Sequence, residues 1–329
     1  MGEEQVGRGR RKKATIYDLA DATGFSSGTV SRVLNNRSNV AAETRDIILK
    51  AAREMNLQPQ LSARLKQVAV VADASSGDRM EGYASTLISH LAYALSKKSF
   101  AVSFPEDPQK QLSTQFVDAI VAVSCGPQLQ PLLQGFEKQL PVVYLDKFDC
   151  APEQHAVVSD HYQAGVLAAE HFIARGKTKL AFYSKRSLPH AERLRGYRDA
   201  MESAGVKVDD YRLLMEESDS LMAAVTRIVR NGADALYVPG SSFQAMEVLH
   251  LLSYVMGVRV PEDISVIGGE NAVVSKFMSP PLTTIAEPLE EMANAVASLL
   301  EGLMQGQAPA QRTITLPVEL IERNSVFGD

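Results

Sequence analysis

Thr15-Ile-Tyr-Asp-Leu-Ala-Asp-Ala-Thr-Gly24-Phe-Ser-Ser-Gly28-Thr-Val-Ser-Arg32-Val-Leu-Asn35 is the stretch whose reading decides the fold. Thr15 stands at the N-cap of a first helix, whose Ile16, Leu19 and Ala20 share one face. Gly24 ends that helix. Ser26 caps a second helix carrying Val30, Val33 and Leu34. Further on, Ile47, Ile48, Ala51, Ala52 and Met55 make the stripe of a third, with Glu43 and Asp46 near its start. Three short helices, the first two joined by a turn of a few residues, predict a helix-turn-helix bundle over residues 14–58.

The chemistry of that bundle points to duplex DNA. The second helix of such a motif enters the major groove with its N-terminus leading. Ser26, Ser27, Gly28, Thr29 and Arg32 fall in its first two turns. A guanidinium bonds guanine O6 and N7 together, and short hydroxyls suit phosphate oxygens. Gly28 inside a helix costs about 1 kcal/mol against Ala. Either the backbone comes close to DNA there, or the position reads no base.

Charge agrees with this reading. Residues 1–66 carry 12 Lys/Arg against 7 Asp/Glu, and the remainder 22 against 32. A basic front on an acidic body is the footprint of a nucleic-acid-binding module joined to something else. Residues 1–13, with Arg8, Arg10, Arg11, Lys12 and Lys13, hold too little apolar surface for a core and read as a disordered basic arm.

Pro59 breaks the chain, and residues 59–66 read as a connector. From residue 67 onward, apolar strand-like runs alternate with helix-period stretches. The runs are 68–72, 101–104, 119–124, 142–145, 156–158, 180–183, 235–238, 265–267 and a last one over 313–322. Alternation of this kind predicts an α/β body of doubly wound parallel sheets, in two lobes that start near residues 67 and 160.

Composition bounds the function. A content of 45 % hydrophobic and 22 % charged residues reads as an ordinary globular protein, with no apolar run long enough for a membrane span, so the expected location is cytoplasmic. Cys125 and Cys150 read as reduced thiols, and no metal site or cofactor is expected from their spacing. His155, His161, His171 and His190 are scattered and read as core or solvated side chains. No nucleophile elbow, phosphate loop or paired catalytic carboxylates stand out, so no enzyme is expected.

The segment from Thr15 to Asn35, continued by Val40-Ala-Ala-Glu-Thr-Arg45, resembles the LacI/GalR family headpiece, T-I-x-D-V-A-x-x-A-G-V-S-x-x-T-V-S-R-V-L-N. The resemblance implies base contacts from Ser27, Gly28 and Arg32, and DNA-backbone contacts from Thr15, Tyr17, Ser26, Thr29, Ser31 and Asn35. The connector Pro59-Gln-Leu-Ser-Ala-Arg-Leu-Lys66 is one residue shorter than the family form. It implies minor-groove contacts from Ser62, Ala63 and a wedging leucine, Leu65 or, second, Leu61.

The body resembles the same family more loosely, through Val260-Pro-Glu-Asp-Ile-Ser-Val-Ile-Gly-Gly-Glu270 and Ser279-Pro-Pro-Leu-Thr-Thr-Ile285. This implies a periplasmic-binding-protein-like fold with three crossovers and a small effector between the lobes, foremost a sugar or sugar derivative, with a nucleobase or other metabolite as the alternative. The N-lobe is expected over about 67–158 and 287–312, and the C-lobe over 159–286 and 313–329. Arg193, in the R-L-x-G-Y match, is the expected ligand grip, with Glu270 accepting hydroxyls. Asp73, Ser75, Asp146, Asp160, Ser241 and Phe243 complete the expected effector set, each placed just after a strand or at a helix start. The stretch from Pro105 to Phe116 is short for the family and leaves open whether a helix fits there. The partners implied are operator DNA, an effector and a second copy, in a homodimer. No heptad tail follows the last strand, so a coiled-coil tetramer is not expected.

Overall fold

A computed structural model describes residues 14–35, 40–55, 57, 65–72, 83–216, 220–239, 242–307 and 309–327. The basic arm, Leu61, Ser62, Ala63, Asp73, Ser75 and Ser241 lie outside the described residues.

The front of the chain folds as α1 (Ile16–Thr23), α2 (Ser27–Leu34) and α3 (Ala42–Glu54). Its boundaries follow from local chemistry. The Thr15 hydroxyl accepts the Asp18 amide while the Asp18 carboxylate accepts the Thr15 amide, a reciprocal capping box. Gly24 adopts φ 72°, the left-handed conformation that closes α1 at little steric cost, and its N–H donates to Ala20 O. The Ser26 hydroxyl accepts the Thr29 amide and opens α2. Leu19, Val30, Val33, Leu34, Ile48 and Leu49 are fully buried between the three helices. Ile47, expected on the apolar stripe of α3, is 46 % exposed; Leu49 takes its place because α3 turns its 48–49–52 face inward.

The body continues as β1 (Lys66–Ala72), α4 (Tyr83–Lys97), β2 (Phe100–Ser103), α5 (Pro108–Thr114), β3 (Ala119–Val123), α6 (Gln130–Glu137), β4 (Val142–Leu145), β5 (His155–Ser159) and α7 (His161–Ala174). Then come β6 (Leu180–Lys185), α8 (Leu188–Ser203), β7 (Leu213–Glu216), α9 (Leu221–Arg230), β8 (Ala235–Val238), α10 (Ser242–His250) and β9 (Ser265–Gly269). The chain ends with β10 (Thr283–Ala286), α11 (Leu289–Met304), β11 (Thr313–Leu316) and β12 (Glu319–Ile321). A π-helical turn, Leu251–Val255, prolongs α10.

Two six-stranded sheets result, ordered β11-β5-β4-β3-β1-β2 and β12-β10-β9-β8-β6-β7. All pairings are parallel except β12 against β10. Each sheet is covered on both faces, as its continuous apolar strands require. In the N-lobe, one face packs α4 and α11 and the other α5 and α6. In the C-lobe, α9 and α10 cover one face and α7 and α8 the other.

Three expectations need correction. The single last strand over 313–322 is two strands in different sheets: β11 pairs with β5 in the N-lobe and β12 with β10 in the C-lobe. Pro317 removes a backbone donor between them, so the third crossover falls at residues 317–318, not at 312. The N-lobe also keeps all of β5, to Ser159. The stretch from Pro105 to Phe116 does hold a helix, α5, capped by Asp107 with Pro108 in its first turn. Strands β7 and β10 escaped the sequence reading, because Leu213–Glu216 ends in a carboxylate and Thr283–Ala286 opens on two threonines, so neither is a continuous apolar run.

The headpiece sits on the N-lobe. Phe116, just after α5, is buried in the headpiece core, and Arg53 of α3 donates to Leu112 O at 2.7 Å.

Candidate functional site

Two surfaces carry the chemistry. The first is the outer face of α2. Ser27, Gly28 and Arg32 are exposed there, opposite the fully buried Val30, Val33 and Leu34. Tyr17 is 73 % exposed beside them. Thr15 and Ser26 are engaged as helix caps, and Asn35 Nδ2 donates to Ser31 O at 2.7 Å. These three side chains hold helix ends and still lie at the surface or at its edge. Thr29 and Ser31 are half-buried. A Cβ added to Gly28 would meet nothing nearer than Ser26 Oγ at 3.9 Å. Nothing among the described residues therefore demands glycine at this position. Leu65, immediately before β1, is 55 % exposed.

The second surface is a cleft of about 910 Å³ between the lobes, at the carboxyl ends of the strands. Side chains just after β4 (Asp146), β5 (His161), β9 (Glu270), β10 (Glu287) and β12 (Arg323) all face it. This is where loops of parallel sheets converge and ligands of such folds bind.

Arg193 is placed by backbone contact, not by its own contacts. Helices α7 and α8 cross at glycines: a Cβ on Gly165 would lie 1.9 Å from Arg193 O, and one on Gly196 2.1 Å from Tyr162 O. Only glycine allows that approach, which sets Arg193 at the cleft floor. Its guanidinium is buried and pairs with Glu287 at 2.5 Å. Glu287 also accepts from Tyr83 at 3.0 Å and from Ser159. One carboxylate on the β10–α11 crossover thus ties together side chains from α4, β5 and α8. Burial pushes the Glu287 carboxyl up, but Arg193 outweighs it, helped by the Ser159 and Tyr83 hydroxyls, and holds it below its ordinary value. Burial, then Arg193, depress the His190 imidazole to about 4.

Glu270 is not a free acceptor. Arg323 grips both its oxygens, at 2.9 and 3.0 Å, and the Thr284 hydroxyl donates to it. Asp146 receives the Ser124 hydroxyl at 3.2 Å and faces His161 Nε2 at 3.6 Å.

Comparison with known proteins decides the family. The lacI family of bacterial regulatory proteins matches residues 15–60, and the periplasmic binding protein-like domain matches residues 169–326. The HTH-type transcriptional regulator DegA of Bacillus subtilis (strain 168) is 29 % identical over 334 residues, covering 95 % of this chain and 98 % of its own. A transcriptional regulator CelR–cellobiose complex superposes with a TM-score of 0.70 at 26 % identity, over 95 % of this chain and 99 % of that one. A lac repressor dimer bound to operator and the anti-inducer ONPF follows with a TM-score of 0.67 at 25 % identity, over 96 % and 100 %. The chain belongs to the LacI family. It is a transcription regulator with a DNA-binding headpiece and an effector-binding body, and no described helix is long and apolar enough to cross a membrane.

Within this LacI-family body, Asp146, Arg193 and Glu270 line the cleft. Two expected effector residues do not. Asp160 caps α7 by accepting the Gln163 amide at 2.8 Å, and Phe243 stands 39 % exposed on α10, outside the cleft lining. Five charged or aromatic cleft residues central to its network were missed: Tyr83, His161, His190, Glu287 and Arg323. His161 and His190, read as scattered, both line the cleft because α7 and α8 start at its rim. Glu287 follows β10, so the rule that selected Asp146 would have found it had β10 been recognised; Arg323 follows the antiparallel β12, which the sequence reading had merged into one strand over 313–322.

Proposed function

We propose that the protein is a repressor that binds a palindromic operator as a homodimer and is modulated by a sugar-like effector held between its lobes. The observation that carries the reading is the outer face of α2, polar and solvent-facing at Ser27, Gly28 and Arg32 above a fully apolar underside. Arg32 is the base-reading side chain, Ser27 and Gly28 lie against the groove, and Thr15, Tyr17, Ser26, Thr29, Ser31 and Asn35 contact phosphates. Leu65 wedges into the minor groove at the operator centre, with Ser62 and Ala63 beside it.

Pairing through the bodies is supported by an apolar stripe on α10 and its π turn. Phe243, Met246 and Tyr254 are 39, 40 and 75 % exposed, and the Tyr254 ring stacks on His250. Two headpieces then reach two half-sites of one operator. The similarity to a cellobiose-bound regulator and the polar cleft support a polyhydroxylated effector. With Glu270 occupied by Arg323, its hydroxyls meet Asp146. Ligand that prefers one lobe arrangement shifts operator affinity, and such coupling is typically about 1–3 kcal/mol. A regulator of this kind works in the cytoplasm.

In-vitro selection on random duplexes, followed by gel shift, tests the reading. Enrichment of a palindrome bound by two chains is expected. A protein that retards no selected duplex would overturn it.

A further inference from the structure

Asp146, His161 and Glu287 come from three different elements, and one ligand atom from each lies within 4.8 Å of the others. Asp146 follows β4, His161 opens α7, and Glu287 sits on the β10–α11 crossover. His161 is 2 % exposed, and its buried Nε2 has no hydrogen-bond partner among the described residues.

The surrounding network assigns the ring proton. The Ser159 hydroxyl donates to Glu287, because an ionised carboxylate only accepts. Ser159 Oγ, 3.3 Å from His161 Nδ1, therefore accepts from that nitrogen. In the neutral ring Nε2 is then a bare lone pair. It points at Asp146 Oδ1 from 3.6 Å, too far for a hydrogen bond and electrostatically repulsive. The Phe148 ring, 5.3 Å away, holds the imidazole in this orientation. A buried lone pair facing two carboxylates lacks one thing, a positive centre between them. Arg193 does not supply it, since it pairs with Glu287 Oε1.

We propose that Asp146, His161 and Glu287 bind one divalent transition-metal ion on the cleft floor. One imidazole and two carboxylates suit zinc, manganese, iron or nickel; magnesium and calcium favour oxygen alone. Ser159 supplies the outer hydrogen bond that fixes the ligating tautomer, the usual arrangement behind a metal-bound histidine. Arg193 stays on Oε1 as an outer partner. Three protein ligands leave coordination positions open towards the cleft, where an effector oxygen can enter. The ion site itself does not depend on the operator reading; only this last consequence does.

The test uses the full chain, stripped of metal by a chelator and dialysed. Co²⁺ is titrated by calorimetry and visible absorption, and Zn²⁺ is then used to displace it. One ion per chain is expected, with a visible ligand-field band that Zn²⁺ abolishes. Asp146→Asn and His161→Ala should bind more than about tenfold more weakly, Ser159→Ala about 10–100-fold more weakly, and Glu319→Gln on the exposed rim as the wild type does. Circular dichroism of each metal-free variant shows whether it folds, and Asp146→Asn keeps the shape of the site if His161→Ala does not. The absence of stoichiometric binding, or equal binding by wild type and Asp146→Asn, overturns the proposal. In that case a proton on His161 fills the gap. Gel shift of the same metal-free protein separates this outcome from failure of the regulator reading.

Discussion

The α2 face and the interlobe cleft are built in opposite ways. The headpiece presents function on solvent-facing side chains such as Ser27 and Arg32, over a small core whose caps form within four residues of chain. The cleft presents function on side chains locked to one another across the fold. Glu287 joins Arg193, Ser159 and Tyr83 over 94, 128 and 204 residues of sequence. The difference teaches where energy is stored. Changes on α2 should alter binding and leave stability nearly intact, whereas changes in the cleft should alter stability as well.

The sharpest break of that contrast is at the buried ion pair. Arg193→Ala leaves Glu287 charged and unpaired inside the protein, and should cost about 3–5 kcal/mol in urea unfolding. Arg193→Met combined with Glu287→Gln, which keeps an acceptor for Ser159 and Tyr83, should recover most of that loss. If the single variant costs nothing, the cleft is looser than its geometry implies. Next comes the helix crossing. Gly165→Ala drives a methyl into the Arg193 carbonyl and should cost about 3 kcal/mol, read as a lowered urea midpoint.

Acid probes the same region. The folded-state value of His190 lies near 4, below its ordinary 6.5, so the unfolded chain takes the proton first. Its contribution is present above about pH 6.5 and lost as pH falls towards 4, by about 2 kcal/mol between pH 7 and pH 5. Arg193, His161, Glu287 and the Lys185 carbonyl are the groups that act on it. Unfolding measured at pH 7 and pH 5 should show the drop, and His190→Asn should flatten it. The smallest effect belongs to the headpiece. Gly28→Ala should raise stability by up to about 1 kcal/mol, since the added methyl meets open space, while weakening operator binding. Stabilisation without loss of binding would show that DNA does not come close there.

Legibility divides along the same line. The headpiece was readable because Thr15, Gly24 and Ser26 act on neighbours three or four residues away, and the apolar faces of α1 and α2 repeat at helical period. Alternating strands and helices likewise gave away the α/β body. The cleft was readable only where a motif named a position, as with Arg193. Its other half was hidden: Glu287 follows β10, whose two threonines break the apolar run, Arg323 follows an antiparallel strand that had been merged with β11, and His161 gains meaning only when β4 and β10 bring carboxylates beside it. Glu270 was placed in the cleft, but Arg323, 53 residues on, had already taken its charge.

The central claim is that the exposed face of α2 reads base pairs. Operator affinity of Arg32→Ala, compared with wild type on the selected palindrome and on each single-base variant, tests it most directly. The account predicts a loss of about 1–3 kcal/mol on the palindrome, with discrimination relaxed at one base pair per half-site. An equal loss on every duplex, specific and nonspecific alike, would contradict it.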